Sequence, residues 1–308
     1  MRSRLALFPI IVLLASCADD SNLPPMVSAG SSDNGRAEAL FAEAQSAENA
    51  GKTKKAVKLY DEIADKIALS QKAPEARFRQ AKLLDQMGET EDAFDAYQAV
   101  ISRYQGSGLY REAFDRQREM AFSAADGGIK SSFLGLKSNL PSKKIIEMLQ
   151  KVAANAPRSA TAAKAAYKIG DIYASDGKIS ESVEAFRKVV IDYSNYPEAP
   201  EAQFRIGEVL LTEAREGNQD QANLDRAEEA FRDYLSQWPG HRRNAQARKL
   251  LSSIGGRDIQ NTFDIAKFYE KKGDTPSAVL YYKEVVRRAK SGDLHDKAQA
   301  RLSALGGN

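Results

Sequence analysis

The sequence is poor in the residues that build catalytic and metal sites. Its 308 residues include one cysteine, two histidines and one tryptophan. Neither His241 nor His295 belongs to the His-x3-His or His-Glu-x2-His spacing of zinc sites. A single cysteine cannot form an internal disulfide. We therefore expect no metal site and no disulfide framework.

Motifs of catalysis and of cofactor binding are also missing. The sequence has no Gly-x-Ser-x-Gly nucleophile elbow, and its Gly-Gly pairs at 127–128 and 255–256 lack the strand–turn–helix context of phosphate-binding loops. Paired carboxylates such as Glu228 and Glu229 are typical of a solvated helix surface. The sequence predicts that the protein is not an enzyme and binds no cofactor.

Strand patterns are nearly absent as well. We find no alternating Val, Ile and Thr runs closed by Asn-Gly or Asp-Gly turns. Alanine, lysine, glutamate, arginine and glutamine dominate, and these residues favour helix. The prediction is an all-α protein.

The first residues have the pattern of an export signal. Arg2 and Arg4 precede an apolar run, Leu5 to Leu14, that is too short to span a bilayer. The run ends in Leu14-Ala15-Ser16-Cys17, which resembles the bacterial lipobox. That resemblance implies a lipoprotein signal peptide at 1–16 and acylation (palmitate) of Cys17. The alternative is an ordinary secretory signal followed by an uninvolved thiol.

The resemblance also implies a location. Ala18, rather than aspartate, follows the lipidated position, which fits release to the outer membrane on the periplasmic side. Several acyl chains give firm anchoring. Residues 17–35 are rich in Pro, Gly, Ser and Asp and poor in apolar residues, which predicts a disordered tether. Because export removes the chain from the cytoplasm, we expect no nucleic-acid partner.

A sequence motif of glycine, a small residue and an aromatic residue recurs along the chain. It occurs at Gly51–Ala56–Tyr60, Gly88–Ala93–Tyr97, Gly177–Ser182–Phe186 and Gly273–Ala278–Tyr282. The glycine suits the end of one helix, and the small and aromatic residues, four apart, share the inner face of the next. The motif resembles that of the tetratricopeptide repeat, although its copies lie a few residues further apart than in that family. That family forms right-handed solenoids of helical hairpins, and we expect about five to six hairpins here.

The helical patterns divide the remaining chain into two parts. A solenoid is predicted over 36–240, with insertions near 126–142 and 216–223, and a C-terminal repeat with a capping helix over 241–308. Phe133, Leu134 and Leu136, in the first insertion, either pack back on the solenoid or form a partner-binding loop. Trp238 is expected to cap the apolar seam. Gly255-Gly256 predicts a break between two helices.

Charge is unevenly spread along the chain. The net charge is +3, but 241–308 hold 14 Lys and Arg against 7 Asp and Glu, a net charge of +7. The first 240 residues therefore carry −4. Two interpretations stay open, a solvated basic helix surface and a basic docking face.

The C-terminal part carries a narrower resemblance. Ala-x-Arg-Lys-Leu-Leu, Ile-Ala-Lys-Phe-Tyr-Glu-Lys-Lys-Gly-Asp and Ser-Ala-Val-x-Tyr-Tyr-Lys-Glu-Val-Val follow one another between Ala245 and Val286. This run is similar to BamD-type lipoproteins of the outer-membrane β-barrel assembly machinery. The resemblance implies an adaptor whose N-terminal repeats, 36–104 here, bind unfolded outer-membrane protein segments, while its C-terminal repeats dock the periplasmic domains of the β-barrel insertase.

Basic residues of the C-terminal part are the docking candidates. They are Arg257, Lys267, Lys271, Lys272, Arg287 and Arg288. An alternative function shares every feature up to Trp238: a repeat lipoprotein scaffold that coordinates peptidoglycan and other cell-envelope enzymes.

Overall fold

A computed structural model of the protein describes residues 31–128, 130–133, 136–216 and 221–307. Apart from one small β-hairpin, these residues form helices: α1 (Ser31–Asn49), α2 (Thr53–Lys66), α3 (Ala73–Met87), α4 (Thr90–Arg103), α5 (Tyr110–Ala125), α6 (Ser142–Asn155), α7 (Ala160–Ser175), α8 (Ile179–Asp192), α9 (Glu198–Glu216), α10 (Gln221–Gln237), α11 (Asn244–Lys271), α12 (Thr275–Ala289) and α13 (Asp293–Ala304). Each helix packs on the next one in the chain. The predicted all-α solenoid is therefore confirmed, with six helical hairpins followed by α13 in the part described.

The recurring glycines end first helices of the hairpins. Gly88 follows α3 with φ 76°, in the left-handed region that residues with a Cβ disfavour. Its N–H bonds to the Asp85 carbonyl, and the N–H of Glu89 bonds to the Leu84 carbonyl, both at 3.0 Å. These bonds satisfy carbonyls that the helix end leaves free. The glycines of the other copies have the same conformation, at Gly51, Gly177 and Gly273.

The small and aromatic residues of the motif fill the space between paired helices. Every member is at most 2% exposed, namely Ala56, Ala93, Ser182 and Ala278 with Tyr60, Tyr97, Phe186 and Tyr282. Three of the aromatic rings meet a phenylalanine of the preceding helix edge to face, with centroids 5.4–5.9 Å apart. Edge-to-face pairs stabilise a core beyond the area they bury. The periodic core is therefore the physical origin of the repeat.

Two helices approach their partners so closely that a methyl group does not fit between them. A Cβ built on Gly170 of α7 would lie 2.7 Å from the ring of Phe186, and one on Gly207 of α9 would lie 2.6 Å from the ring of Phe231. Both rings are fully buried. Glycine at these positions lets the phenylalanine pack directly on the helix backbone.

The predicted break at Gly255-Gly256 is wrong. Helix α11 continues through both glycines from Asn244 to Lys271. Its first half contributes Ile254 to the core around α9 and α10, and its second half contributes Phe263 to the core with α12 and α13. Packing on both sides holds the helix together, which outweighs the low helix propensity of glycine.

The first insertion contains the only described strands. β1 (Lys130–Phe133) pairs antiparallel with β2 (Leu136–Asn139), in a register that places Phe133 opposite Leu136. Leu134 lies outside the described residues. Whether this segment packs on the solenoid through its apolar side chains or binds a partner therefore stays a prediction.

Two predicted boundaries differ from the structure. Helix α1 begins at Ser31, so 31–35, the last part of the predicted tether, are helical. Helix α9 extends to Glu216 and α10 begins at Gln221, which shortens the second insertion. The lipobox, Cys17 and the rest of the tether lie outside the described residues. None of the helices described here is long and apolar enough to cross a membrane.

Trp238 lies where the sequence predicts. It is partly buried at the end of α10, and its ring centroid is 6.1 Å from that of Tyr234 in the same core. It closes the apolar seam of the fifth hairpin.

Candidate partner-binding grooves

Three polar residues tie each of several hairpins to the next. The Tyr60 hydroxyl donates a hydrogen bond to Glu48 at 2.7 Å, and Arg79 from the next hairpin bonds the same carboxylate at 3.3 Å. Burial, and then the hydrogen bond to Glu48, raise the pKa of Tyr60. The carboxylate lies twelve residues before the tyrosine, and the arginine 31 residues after the carboxylate.

The same arrangement recurs in the last hairpin, and its carboxylate–arginine pair recurs between the second and third hairpins. Tyr282 donates to Glu270 at 2.7 Å, and Arg301 of α13 pairs with that carboxylate. Asp85 accepts from Arg116 at 2.6 Å, and this hydrogen bond raises the pKa of the Arg116 guanidinium. Helix α13 therefore stacks on α11 as the first helix of a further repeat would. In the sequence, the carboxylate of this arrangement lies three residues before a recurring glycine, at Glu48, Asp85 and Glu270. Our sequence analysis missed this signal.

Two grooves lie beside these polar groups. The N-terminal groove, between α3 and α5, has a volume of about 550 Å³, and the C-terminal groove, between α11 and α13, has a volume of about 860 Å³. The N-terminal groove is lined by Phe78, Lys82, Asp85, Gln86, Tyr97, Glu112, Asp115, Arg116, Arg118 and Glu119. The C-terminal groove is lined by Phe263, Asp264, Lys267, Phe268, Glu270, Lys271, Tyr282, Lys297, Ala300 and Arg301.

The two grooves are copies of one another. Each has a phenylalanine and a tyrosine at its base, a carboxylate–arginine pair, and a lysine on its rim, and the corresponding residues are 185 positions apart. Their charges differ, however. Three cations and four carboxylates line the N-terminal groove, a net charge of −1, whereas four cations and two carboxylates line the C-terminal groove, a net charge of +2.

Comparison with protein families agrees with this geometry. Tetratricopeptide-repeat models match residues 75–107 and residues 167–241. The chain contains tetratricopeptide repeats. Each groove lies between the first helices of two successive repeats, α3 and α5 or α11 and α13. Repeats of this kind indicate an adaptor that binds other proteins.

Several solved protein structures resemble the chain at low identity. MamA of Desulfovibrio magneticus is 18% identical, with 66% of this chain and 94% of that chain covered and a TM-score of 0.29. A thermophilic repeat protein of Thermus thermophilus is 14% identical, with coverages of 71% and 98% and a TM-score of 0.31. A repeat protein of Parabacteroides merdae is 12% identical, with coverages of 87% and 98% and a TM-score of 0.31. Curated protein sequences give no match, and no function follows from similarities at this level.

The structure brings three of the six predicted docking residues together. Lys267 and Lys271 line the C-terminal groove, and Lys272 lies next to it with its Nζ 4.6 Å from the ring centroid of Phe268. This ring is 51% exposed, which is unusual for an aromatic side chain on a helix face.

The other three predicted docking residues lie elsewhere. Arg287 pairs with Glu284 on its own helix at 2.8 Å, and Arg288 pairs with Asp258 across α11 and α12. Arg257 is half-buried in the middle of α11. The charge count alone did not separate the lysines at the groove from the arginines that lie outside it.

The grooves hold no arrangement that indicates catalysis. No cluster of three or more His, Cys, Asp or Glu side chains that could hold a metal ion occurs among the described residues. Burial and the nearby negative charge of Asp85 raise the pKa of Tyr97, which keeps its hydroxyl neutral. The residues that line the grooves are equipped to bind through charge and apolar contact.

Proposed function

We propose that this chain is an outer-membrane lipoprotein, anchored through Cys17, that acts as an adaptor in the assembly and insertion of β-barrel proteins. Its C-terminal repeat docks the periplasmic domains of the β-barrel insertase, and its N-terminal repeats bind unfolded outer-membrane protein segments. The N-terminal tether lets the solenoid work in the periplasm at a distance from the lipid surface.

The observation that carries the binding role is the C-terminal groove. It combines a net charge of +2 with an exposed aromatic side chain, Phe268. Among the described residues, three of the five exposed large apolar side chains lie in the same hairpin, since Ile265 and Leu280, outside the groove lining, are 42% and 65% exposed. A surface with these properties is typical of a protein-interaction site. The assembly role itself rests on the lipobox and on the C-terminal resemblance.

The test is a pull-down of the full lipoprotein from its own membranes in mild detergent, followed by mass spectrometry. We expect a β-barrel insertase with periplasmic repeat domains among the recovered proteins. The test variant K267E/K271E/K272E reverses three of the predicted docking charges, so it should recover less insertase than the unmodified protein, and the difference should be larger at low salt.

Two outcomes would contradict the proposal. Recovery of cell-wall synthases or hydrolases without an insertase would favour the alternative, a scaffold for peptidoglycan enzymes. Equal recovery of the insertase by the charge-reversed and unmodified proteins would place its docking site outside the basic C-terminal surface.

A further inference from the structure

The difference between the two copied grooves indicates what the C-terminal groove binds. We propose that it takes an acidic peptide segment with an aromatic or aliphatic side chain, supplied by a partner protein. This inference rests on the adaptor function proposed above but does not depend on which protein the partner is.

The cations that line the N-terminal groove already pair with carboxylates of the chain. Lys82 reaches across the groove to Glu112 at 3.6 Å, and Arg116 bonds Asp85 at 2.6 Å. Arg118 pairs with its neighbour Asp115 at 3.1 Å. Each lining cation therefore has a carboxylate from the chain itself, and an incoming acidic segment would have to displace these partners.

The C-terminal groove lacks the corresponding acids. The counterpart of Glu112 is Lys297, and the counterpart of Asp115 is Ala300. The bridge that Lys82 makes across the N-terminal groove therefore has no equivalent at Lys267, whose ion pair is with Asp264 on its own helix at 3.6 Å.

Arg301 pairs with Glu270, but two further lysines of the C-terminal groove have no carboxylate partner across it. Lys297 pairs within α13, with Asp293 at 2.7 Å, and that carboxylate is 74% exposed. Lys271 makes no ion pair within the described part of the chain. Exposed pairs of this kind contribute little and exchange easily, so a carboxylate between α11 and α13 would meet several lysines at once.

The apolar part of the ligand is indicated by Phe268. The residue of α3 at the equivalent position is Leu83, which belongs to the core and is only 6% exposed, whereas Phe268 is 51% exposed. Lys272 lies over the Phe268 ring, so a cation and an aromatic face are presented together. A ligand that carries both a carboxylate and an apolar side chain satisfies both groups.

The shape of the groove favours a peptide. The side chains of Lys267 and Lys297 are each 59% exposed on opposite rims, so the groove is open to solvent along its length. Solenoids use such concave surfaces for extended or helical segments. The volume of about 860 Å³ accommodates several side chains of such a segment.

The test measures peptide binding to the full lipoprotein in detergent micelles. The probe is a short fluorescein-labelled peptide in which Glu and Leu alternate around a central Phe, followed by fluorescence anisotropy. Replacing Lys297 with the residue of the N-terminal copy, K297E, should weaken binding about fivefold to tenfold, because it reverses one charge and restores a partner for Lys267. The double variant K297E/A300D, which reproduces the acidic lining more fully, should weaken it further.

Matched controls separate groove binding from overall charge and from folding. K82E changes the net charge of the protein equally but lies in the N-terminal groove, so it should leave peptide binding unchanged. F268S should weaken binding without changing its salt dependence. Circular dichroism and thermal unfolding should be the same for all four variants, since every altered side chain is exposed or lies on a groove rim.

Several outcomes would overturn the inference. One is an equal loss of peptide affinity in K82E and K297E. Another is tight binding of a probe peptide that carries Gln in place of Glu. A third is that the protein binds anionic vesicles and not the peptide. The assay is independent of the insertase: if the peptide binds as described but the pull-down recovers no insertase, the groove assignment stands and the assembly role fails. If the pull-down succeeds but K297E leaves peptide binding unchanged, the groove assignment fails and the adaptor role stands.

Discussion

Glycine-to-alanine substitutions in four helix interiors should have opposite effects at two pairs of sites. Gly170 and Gly207 lie against buried phenylalanine rings, whereas a Cβ on Gly255 or Gly256 of α11 would have no atom within 4 Å. None of the four has a positive φ. The substitution therefore gives each helix the same gain in propensity, and only the surrounding packing differs.

The magnitudes follow from the distances. Alanine in place of glycine in a helix gains about 0.4–1 kcal/mol. At Gly207 the added carbon would lie 2.6 Å from the Phe231 ring, against an ordinary carbon–carbon separation of about 3.5–4.0 Å. The ring or the helix must then move by about 1 Å, and overpacking of this kind costs about 1–3 kcal/mol.

We expect G207A and G170A to lower the free energy of unfolding by about 1–2 kcal/mol, because the overlap exceeds the propensity gain. G255A and G256A should each raise it by about 0.5–1 kcal/mol. Urea unfolding followed by far-UV circular dichroism measures both. Changes of the same sign at all four sites would refute the reasoning, because they would mean that packing against the phenylalanines does not decide the outcome.

Three further predictions concern other parts of the chain. Y282F removes the hydrogen-bond donor to Glu270 and should lower the free energy of unfolding by about 1–2 kcal/mol. Y60F removes the equivalent donor to Glu48 and should have the same effect. Urea unfolding measures both variants, and unchanged stability would mean that these hydroxyls are not needed for stacking. Burial raises the pKa of Tyr167 to about 12 and that of Tyr97 further, above the value of about 10 in the unfolded chain. Tyr97 is buried and Tyr167 is partly buried, and both stabilise the fold below about pH 10, a contribution that should be lost as the pH rises toward 12. The ionisation of these two tyrosines, the last part of the rise in tyrosinate absorbance, should coincide with unfolding. Ionisation of all 12 tyrosines at pH 10 without unfolding would contradict this prediction. C17S should abolish palmitate labelling and release the protein from membranes, and membrane retention of C17S would reject the lipid anchor.

Much of the fold could be predicted from the sequence because the repeat is written in local patterns. Gly88 ends a helix through its own backbone conformation, and Ala93 and Tyr97 share a helix face through their spacing alone. These properties depend on neighbours within one hairpin, so the hairpins and their order follow from them. The break at Gly255-Gly256 was predicted by the same local reasoning, and it was wrong because Ile254 and Phe263 anchor α11 in cores on both sides.

The candidate site was less accessible to sequence reasoning. The excess of positive charge in the C-terminal part directed attention to Lys267 and Lys271, which do line the groove, but equally to Arg288, which pairs with Asp258. A charge count cannot show which cations already have partners, because the partners lie on other helices. Arg301 was missed for the same reason, since its carboxylate partner lies 31 residues earlier.

Local sequence patterns predict the helical class, about five to six hairpins, their order and the glycine-terminated first helices, because each of these depends on residues within a few turns of one another. The continuity of α11, the stacking of α13 as a further first helix and the opposite signs of the net charge in the two copied grooves emerge only in the folded chain. Those properties arise where residues distant in the chain meet, and there the free energy of packing and of charge pairing outweighs local preference.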